Sequence, residues 1–331
     1  MFLAVPILAA VAAGSIPAAS ALAAARWPGR SPAAAILLWQ ALGLGWGLAA
    51  VGAFAGLGAD PGQAGTLPGG VAGAALAVAS RVMHGAAFGP RATGPLADLR
   101  LVSVAAGLVL LTLLCWVLVA ASAAVLRARR RQRDLLSLLA HGDPKVPGAL
   151  VLDHPAAAAY CVPGLRSRIV ISAGTLELLD PAELAAVLAH ERAHLRERHD
   201  LVLLPFTALL RVFRWCAVAR RAEGAVALLV EMLADDHALR HRPARELATA
   251  LLRVGAAGSQ VPSGALAAAP AAPGASGGGG RGAGGGDGEV AVRVARLLRP
   301  APGLPAPAIA LVCGTAVLLV AVPVAFLFIP F

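Results

Sequence analysis

A chain of 331 residues that is 58% hydrophobic and only 14% charged, with a mean hydropathy of +0.75, is too apolar for an ordinary soluble domain and points to membrane spans. Its formal net charge of +10 is carried by arginine except at Lys145, and aromatics make up only 4%. The arginines stand beside apolar runs, so the charge reads as a topology signal, and direct nucleic-acid binding is not expected.

Residues 3–25 are continuously apolar with no basic residue ahead of them, which reads as a transmembrane helix rather than a cleaved leader. Arg26 and Arg30 follow, then a second span at 33–57. Residues 58–99 form a Gly- and Pro-rich loop whose apolar run, Val71–Ala79, is too short to cross a bilayer. A third span at 101–126 runs into five arginines between Arg127 and Arg133. The positive-inside rule puts that end in the cytoplasm and the amino terminus outside. Residues 1–133 therefore read as a membrane region.

Residues 134–255 read as a cytoplasmic aqueous domain. Short strands are predicted at Ala149–Asp153 and Arg168–Ser172, with an extended edge over Ala156–Val162. A helix starts at Asp180, with Pro181 at its first position and Glu183 placed for a capping box. Leu201–Leu210, interrupted by Pro205, is read as domain core. Further helices are expected at Ala222–His241 and Ala244–Val254. Residues 256–289 have a Gly/Ala/Pro-rich composition that cannot bury enough apolar surface, and read as a disordered linker. The last region, 290–331, holds a basic amphipathic helix, Val290–Leu298, and a fourth span at 308–328. Both termini are thus expected outside a multi-pass cell-membrane protein.

The chemistry concentrates on the capped helix. His190 and His194 lie four residues apart, on one face, where two imidazoles can converge on one metal ion, and Glu191 stands next to the first of them. A hydrolytic zinc site takes three protein ligands and leaves a position for water. Glu231, set among Leu228, Leu229, Val230 and Met232, would be costly to bury without a partner, and is the candidate third ligand. Asp235 follows on the same helix face, placed to orient a ligating histidine. Glu191 is the candidate general base. Tyr160, His237 and His241 are unranked candidates for stabilising the oxyanion or contacting substrate. His199 and Asp200 read as surface or helix-end residues, His154 as a strand-end residue, and Asp236 as a surface acid. Cys115, Cys161, Cys216 and Cys313 form no C-x-x-C pair and read as inert small apolar residues.

These segments, Ile169–Leu176, Leu178–Asp180 and Val187–His194, resemble the membrane gluzincin peptidases. The resemblance is nearest to the BlaR/MecR-type antibiotic-sensing metallopeptidases, and more distant to HtpX-like and CAAX-prenyl-protease-like enzymes. It covers about 134–255 in motif detail, and the four-span layout agrees with it. It implies an α+β zincin-like (gluzincin) peptidase domain combined with four transmembrane helices. It further implies one Zn2+ per chain held by His190, His194 and Glu231, catalysis by Glu191, an outer-shell Asp235, and an edge near Ala158–Tyr160 that takes substrate as an added strand. The substrate would be a protein or peptide, such as a transcriptional repressor or a membrane protein. The sensors' extracellular domain has no counterpart here, so a β-lactam-binding role is not expected. A quality-control protease and a non-catalytic zinc-binding transducer are the alternatives; the intact Glu191 argues against the latter.

Overall fold

The computed structural model describes residues 4–58, 95–142, 146, 148–162, 168–257 and 284–328. In chain order the helices are α1 (Ala4–Ala24), α2 (Pro32–Gly58), α3 (Pro95–Leu139), α4 (Ala173–Leu178), α5 (Pro181–Glu197), α6 (His199–Val212), α7 (Ala217–Ala238), α8 (Ala244–Ala256), α9 (Gly284–Leu298) and α10 (Ala306–Phe328). The strands are β1 (Ala140–Gly142), β2 (Ala149–Leu152), β3 (Ala159–Val162) and β4 (Arg168–Ser172). They divide into two compact units: Met1–Leu118 with Val212–Ala222 and Leu304–Phe331, and Val119–Arg211 with Glu223–Gly303.

The first unit contains α1, α2, the start of α3, and α10. Among the described residues, four helical stretches are long and apolar enough to cross a membrane: Ala4–Ala24, Pro32–Gly58, Asp98–Ala128 and Ala306–Phe328. Small residues on α2 let its neighbours approach closely. A methyl group at Gly45 would lie 2.5 Å from the Leu319 carbonyl oxygen, and one at Gly52 would meet Leu8 and Leu327. Leu8, Ala49 and Ala53 pack together with Phe326 beside them. The outward faces are apolar as well: Val109 is 66% exposed, Trp116 69% and Leu311 72%. The run Val71–Ala79 lies outside the described residues.

The second unit is built on a four-stranded sheet in the order β1-β2-β4-β3. β2 and β4 run parallel with Leu150 opposite Val170, while β1 joins β2 and β3 joins β4 antiparallel. Alternate residues point to opposite faces of a sheet, and the two faces have different partners. Ala149, Ile169 and Ile171 pack on Leu188 of α5, with Leu184 and Leu195 alongside. Val162 and Val170 pack on Leu136 of α3, with Tyr160, Leu150 and Leu152 around them. On the far side of α5, Ala186 meets Ala238 of α7, Leu247 and Ala248 of α8, and Val294 and Leu297 of α9.

Most predicted elements of this unit form within a few residues of their expected bounds. The capping box is present: Asp180 accepts from the Ala182 and Glu183 amides at 2.9 Å, and its own amide donates to Glu183 Oε2 at 3.1 Å. Arg253 of α8 donates to the same Glu183 oxygen at 2.9 Å, which balances a buried carboxylate. Three expectations change. The helix of the third span continues through the arginine run to Leu139, and β1 follows it directly. Residues 284–289, read as linker, form the start of α9, whose Val290, Val294 and Leu297 pack on the core. The Leu201–Leu210 segment is only partly core, with Phe206 and Ala208 buried and Leu201 52% exposed.

The junction of β4 and α4 depends on a close approach. Ser172 and Thr175 hydroxyls accept from the Ala158 amide at 2.8 and 2.6 Å, Thr175 donates back to the Ala158 carbonyl at 2.9 Å, and Gly174 donates to the His154 carbonyl at 3.0 Å. A methyl group at Gly174 would collide with the Pro155 carbonyl. Gly174→Ala is therefore expected to cost about 1–3 kcal/mol through forced backbone shifts, read as a lowered thermal midpoint of the purified protein.

Candidate metal centre

α5 and α7 bring the site together. Residues four apart share a helix face, so α5 presents His190 and His194 and α7 presents Glu231 and Asp235. The two imidazole Nε2 atoms lie 3.1 Å apart. Glu231 Oε2 is 3.4 Å from His190 Nε2, and Oε1 is 3.6 Å from His194 Nε2. One ligand atom from each of the three residues falls within 4.8 Å of the others, and all three residues are buried. Two nitrogens and one carboxylate oxygen converging in a buried place are the donor set of a zinc site with a fourth position left for water. The residues present fit the metal.

Asp235 lies behind His190. Its Oδ1 is 3.0 Å from His190 Nδ1, an ion-pair contact bent away from ideal hydrogen-bond alignment. The same carboxylate takes two hydrogen bonds from Arg293 of α9, Nε to Oδ2 at 2.9 Å and Nη2 to Oδ1 at 2.7 Å, while Nη1 reaches Glu231 Oε2 at 2.9 Å. Arg293 is itself 5% exposed. Sequence reading gave α9 no part in the site, and its basic periodicity was the available signal. Asp236, expected at the surface, is partly exposed and forms a two-bond pair with Arg296 at 2.7 and 2.8 Å.

The charges follow from these contacts. Burial alone would raise Glu231 and Asp235, but the Arg293 guanidinium holds both below the usual carboxylate range, Glu231 well below it, with His194 and His190 adding to the effect. Burial would likewise depress His190, yet the neighbouring Asp235 and Glu231 outweigh it and hold the ring up at about 9. Glu191, half-buried beside His190, is pushed up by burial against the opposing pull of the two histidines.

Two further side chains differ from their sequence reading. Cys161 of β3 is buried beside Glu191, and burial and that carboxylate push the thiol up. His199 is 1% exposed rather than at the surface, with Nδ1 2.9 Å from His194 Nδ1. Burial, and then the charge of His194, lower it to about 3. Of the candidates for substrate or oxyanion contact, none is brought onto the ligand cluster. Tyr160 packs with Val162 and Val170 on the sheet face opposite Cys161. His237 is engaged with Glu197 at 2.8 Å, and His241 is exposed in the turn after α7. His154 accepts from the Ala156 amide at 3.2 Å at the end of β2.

A buried pair of histidines and a glutamate, with a second glutamate at their side, can hold a divalent metal ion next to a carboxylate. Residues 125–236 match the model of peptidase family M48, and over this stretch the chain is similar to metallopeptidases that typically use zinc. No curated protein and no solved structure matches the chain. The matched stretch contains α5 and its histidines together with Glu231 and Asp235, whereas Arg293 lies outside it.

Removing one partner of a buried ion pair leaves an uncompensated charge, typically worth about 3–5 kcal/mol. Arg293→Met leaves two buried carboxylates without their guanidinium and is expected to lower stability by roughly that amount, measured as denaturant unfolding of the metal-free protein in detergent. A stability equal to wild type would mean that Arg293 does not carry the balance.

Proposed function

We propose that the protein is an integral membrane zinc metalloendopeptidase that hydrolyses peptide bonds of protein substrates on the cytoplasmic side. The observation that carries this reading is the convergence of His190, His194 and Glu231 in a buried cluster with Glu191 beside it. The metal would be held by those three residues and, when bound, would supply Lewis-acid activation of the attacking water and of the scissile carbonyl. Glu191 would take the proton from that water and pass it to the leaving amine. A carboxyl raised by burial is suited to both steps, because it takes up a proton more readily than an ordinary carboxylate and can then return it. Asp235 would keep the His190 ring oriented from Nδ1, leaving Nε2 for the metal.

Substrate binding follows from the sheet. Among the described residues β3 has only β4 as a strand neighbour, so its other edge is the one along which a substrate strand would pair. Cys161 places this strand beside Glu191, so a peptide added along β3 would pass the general base. Both backbone groups of Ala158 are taken up by Ser172 and Thr175, and the pairing edge therefore begins at Ala159.

Membrane residence is supported by the four long apolar helices and by large apolar side chains on their outward faces, where water would be unfavourable and lipid is not. The arginines from Arg127 to Arg133 favour a cytoplasmic peptidase domain with both termini outside. The regulatory role of the BlaR/MecR-type sensors, with a repressor as substrate, rests on the resemblance alone.

Glu191→Gln should keep zinc at wild-type content while turnover falls by at least ~100-fold, the scale of a lost general base. The inactive variant can then capture its substrate for mass spectrometry. A recovered repressor would favour signalling, and damaged membrane proteins would favour quality control. Unchanged cleavage by this variant would remove the mechanism. For topology, a reporter fused after Arg133 is expected to show a cytoplasmic signal, and an external one would reverse the orientation.

A further inference from the structure

α5 ends in a constrained turn. Arg198 has φ 53° and ψ 42°, and is the one described residue other than glycine with positive φ. A residue with a Cβ enters that region only at a cost. Its amide donates to the His194 carbonyl, and the left-handed step brings His199, the first residue of α6, back against His194. The two rings meet nearly at right angles, 87°, with centroids 4.8 Å apart.

The contacts beyond this pair run in one direction. His194 Nε2 faces His190 and Glu231, so for ligation that nitrogen must keep its lone pair and the proton sits on Nδ1. His194 Nδ1 then donates to His199 Nδ1 at 2.9 Å. That fixes the His199 proton on Nε2, from which it donates to Glu197 Oε2 at 3.2 Å. Glu197 Oε1 lies 2.8 Å from His237 Nε2, and His237 Nδ1 lies 2.9 Å from the Leu233 carbonyl. Each acceptor in the series is able to accept, and the chain ends on α7 between Glu231 and Asp235.

We infer that His199 is a positioning residue for His194, and that Glu197 and His237 anchor it to the second ligand helix. Resting on the zinc reading above, the inference adds a second outer-shell arrangement to the one at His190. Asp235 of α7 sets the His190 ring directly, whereas the His194 ring is set through His199, Glu197 and His237. The left-handed turn at Arg198 is what makes the second arrangement possible, since a helix continued through 198 would carry His199 away from His194.

The test uses the full-length protein in detergent, with Zn2+ affinity from chelator competition and the ligand-field absorption of bound Co2+ as readouts. His199→Leu is expected to weaken Zn2+ by about 10–100-fold, the usual effect of losing an outer-shell partner, and to shift the Co2+ bands. His199→Asn, whose amide oxygen can take the place of Nδ1 as acceptor, should restore most of the affinity. Glu197→Gln should shift the bands in the same direction by less. Thermal melts of the metal-free variants separate loss of fold from loss of ligand geometry, and if His199→Leu does not fold, Glu197→Gln decides. Wild-type affinity and an unshifted Co2+ spectrum in folded His199→Leu, or in Glu197→Gln where it decides, would overturn this inference alone. A wild-type protein that takes up neither ion would overturn the metal reading and this inference with it.

Discussion

The buried charge balance around Arg293 is the constraint on which the unit holding the candidate site is arranged. Two carboxylates one helical turn apart, Glu231 and Asp235, are both buried, and each would be expensive to leave unpaired in a low-dielectric interior. The guanidinium is suited to this task because its fork can take Asp235 with two nitrogens and Glu231 with the third. A lysine could place its charge there but could not hold both groups in fixed geometry. Asp235 is then free to face His190, and Glu231 to face both histidines. The His190, His194 and Glu231 cluster is therefore held in place by a residue outside it, through the two carboxylates.

That arginine is 58 positions beyond Asp235 in the chain, and it arrives on a helix that starts in a run of glycines. Glycine disfavours helix by roughly 1 kcal/mol per residue relative to alanine. Packing reverses the preference here: Val294 and Leu297 are buried against Ala186, Leu247 and Ala248, and Arg296 pairs with Asp236. The length of the intervening connection adds little to the difficulty, because the entropy of closing a loop grows only logarithmically with its length. The unit that holds the site is accordingly larger than the stretch with family resemblance, and includes α8 and α9.

What was legible in the sequence was local. The start of α5 could be read because Asp180, Pro181 and Glu183 act on backbone groups three residues away, and the pairs His190/His194 and Glu231/Asp235 because one turn of helix brings i and i+4 together. β4 was read to the residue, since Arg168–Ser172 carries β-branched residues between turn formers. Non-local contacts were not legible. Nothing near Cys161 in the chain indicates that it lies beside Glu191, as that depends on the register by which β3 lies opposite β4. His199 stands at a helix end, as its sequence suggests, but its burial is not legible there because it follows a helix end of charged residues, Arg196 to Arg198, and the left-handed Arg198 turns it inward. Tyr160 was a reasonable polar candidate by type, but it lies one position from Cys161 and therefore on the other face.

The two histidines differ in what stands behind them, and the difference bears on how the proposed centre would behave. A carboxylate behind an imidazole raises its basicity and strengthens it as a ligand, whereas a neutral imidazole in that place orients without donating as much charge. His190 has the first kind of support and His194 the second. Arg293 offsets one of the two carboxylates, so Glu231, Asp235 and Arg293 together contribute a single net negative charge. A dication held there would keep part of its positive charge, the condition under which it can polarise a carbonyl and acidify water. Removing the arginine would therefore do more than loosen α9. It would make the environment of the ligands more anionic, favouring tight metal binding at the expense of Lewis acidity, so that stability, metal affinity and turnover would not change together.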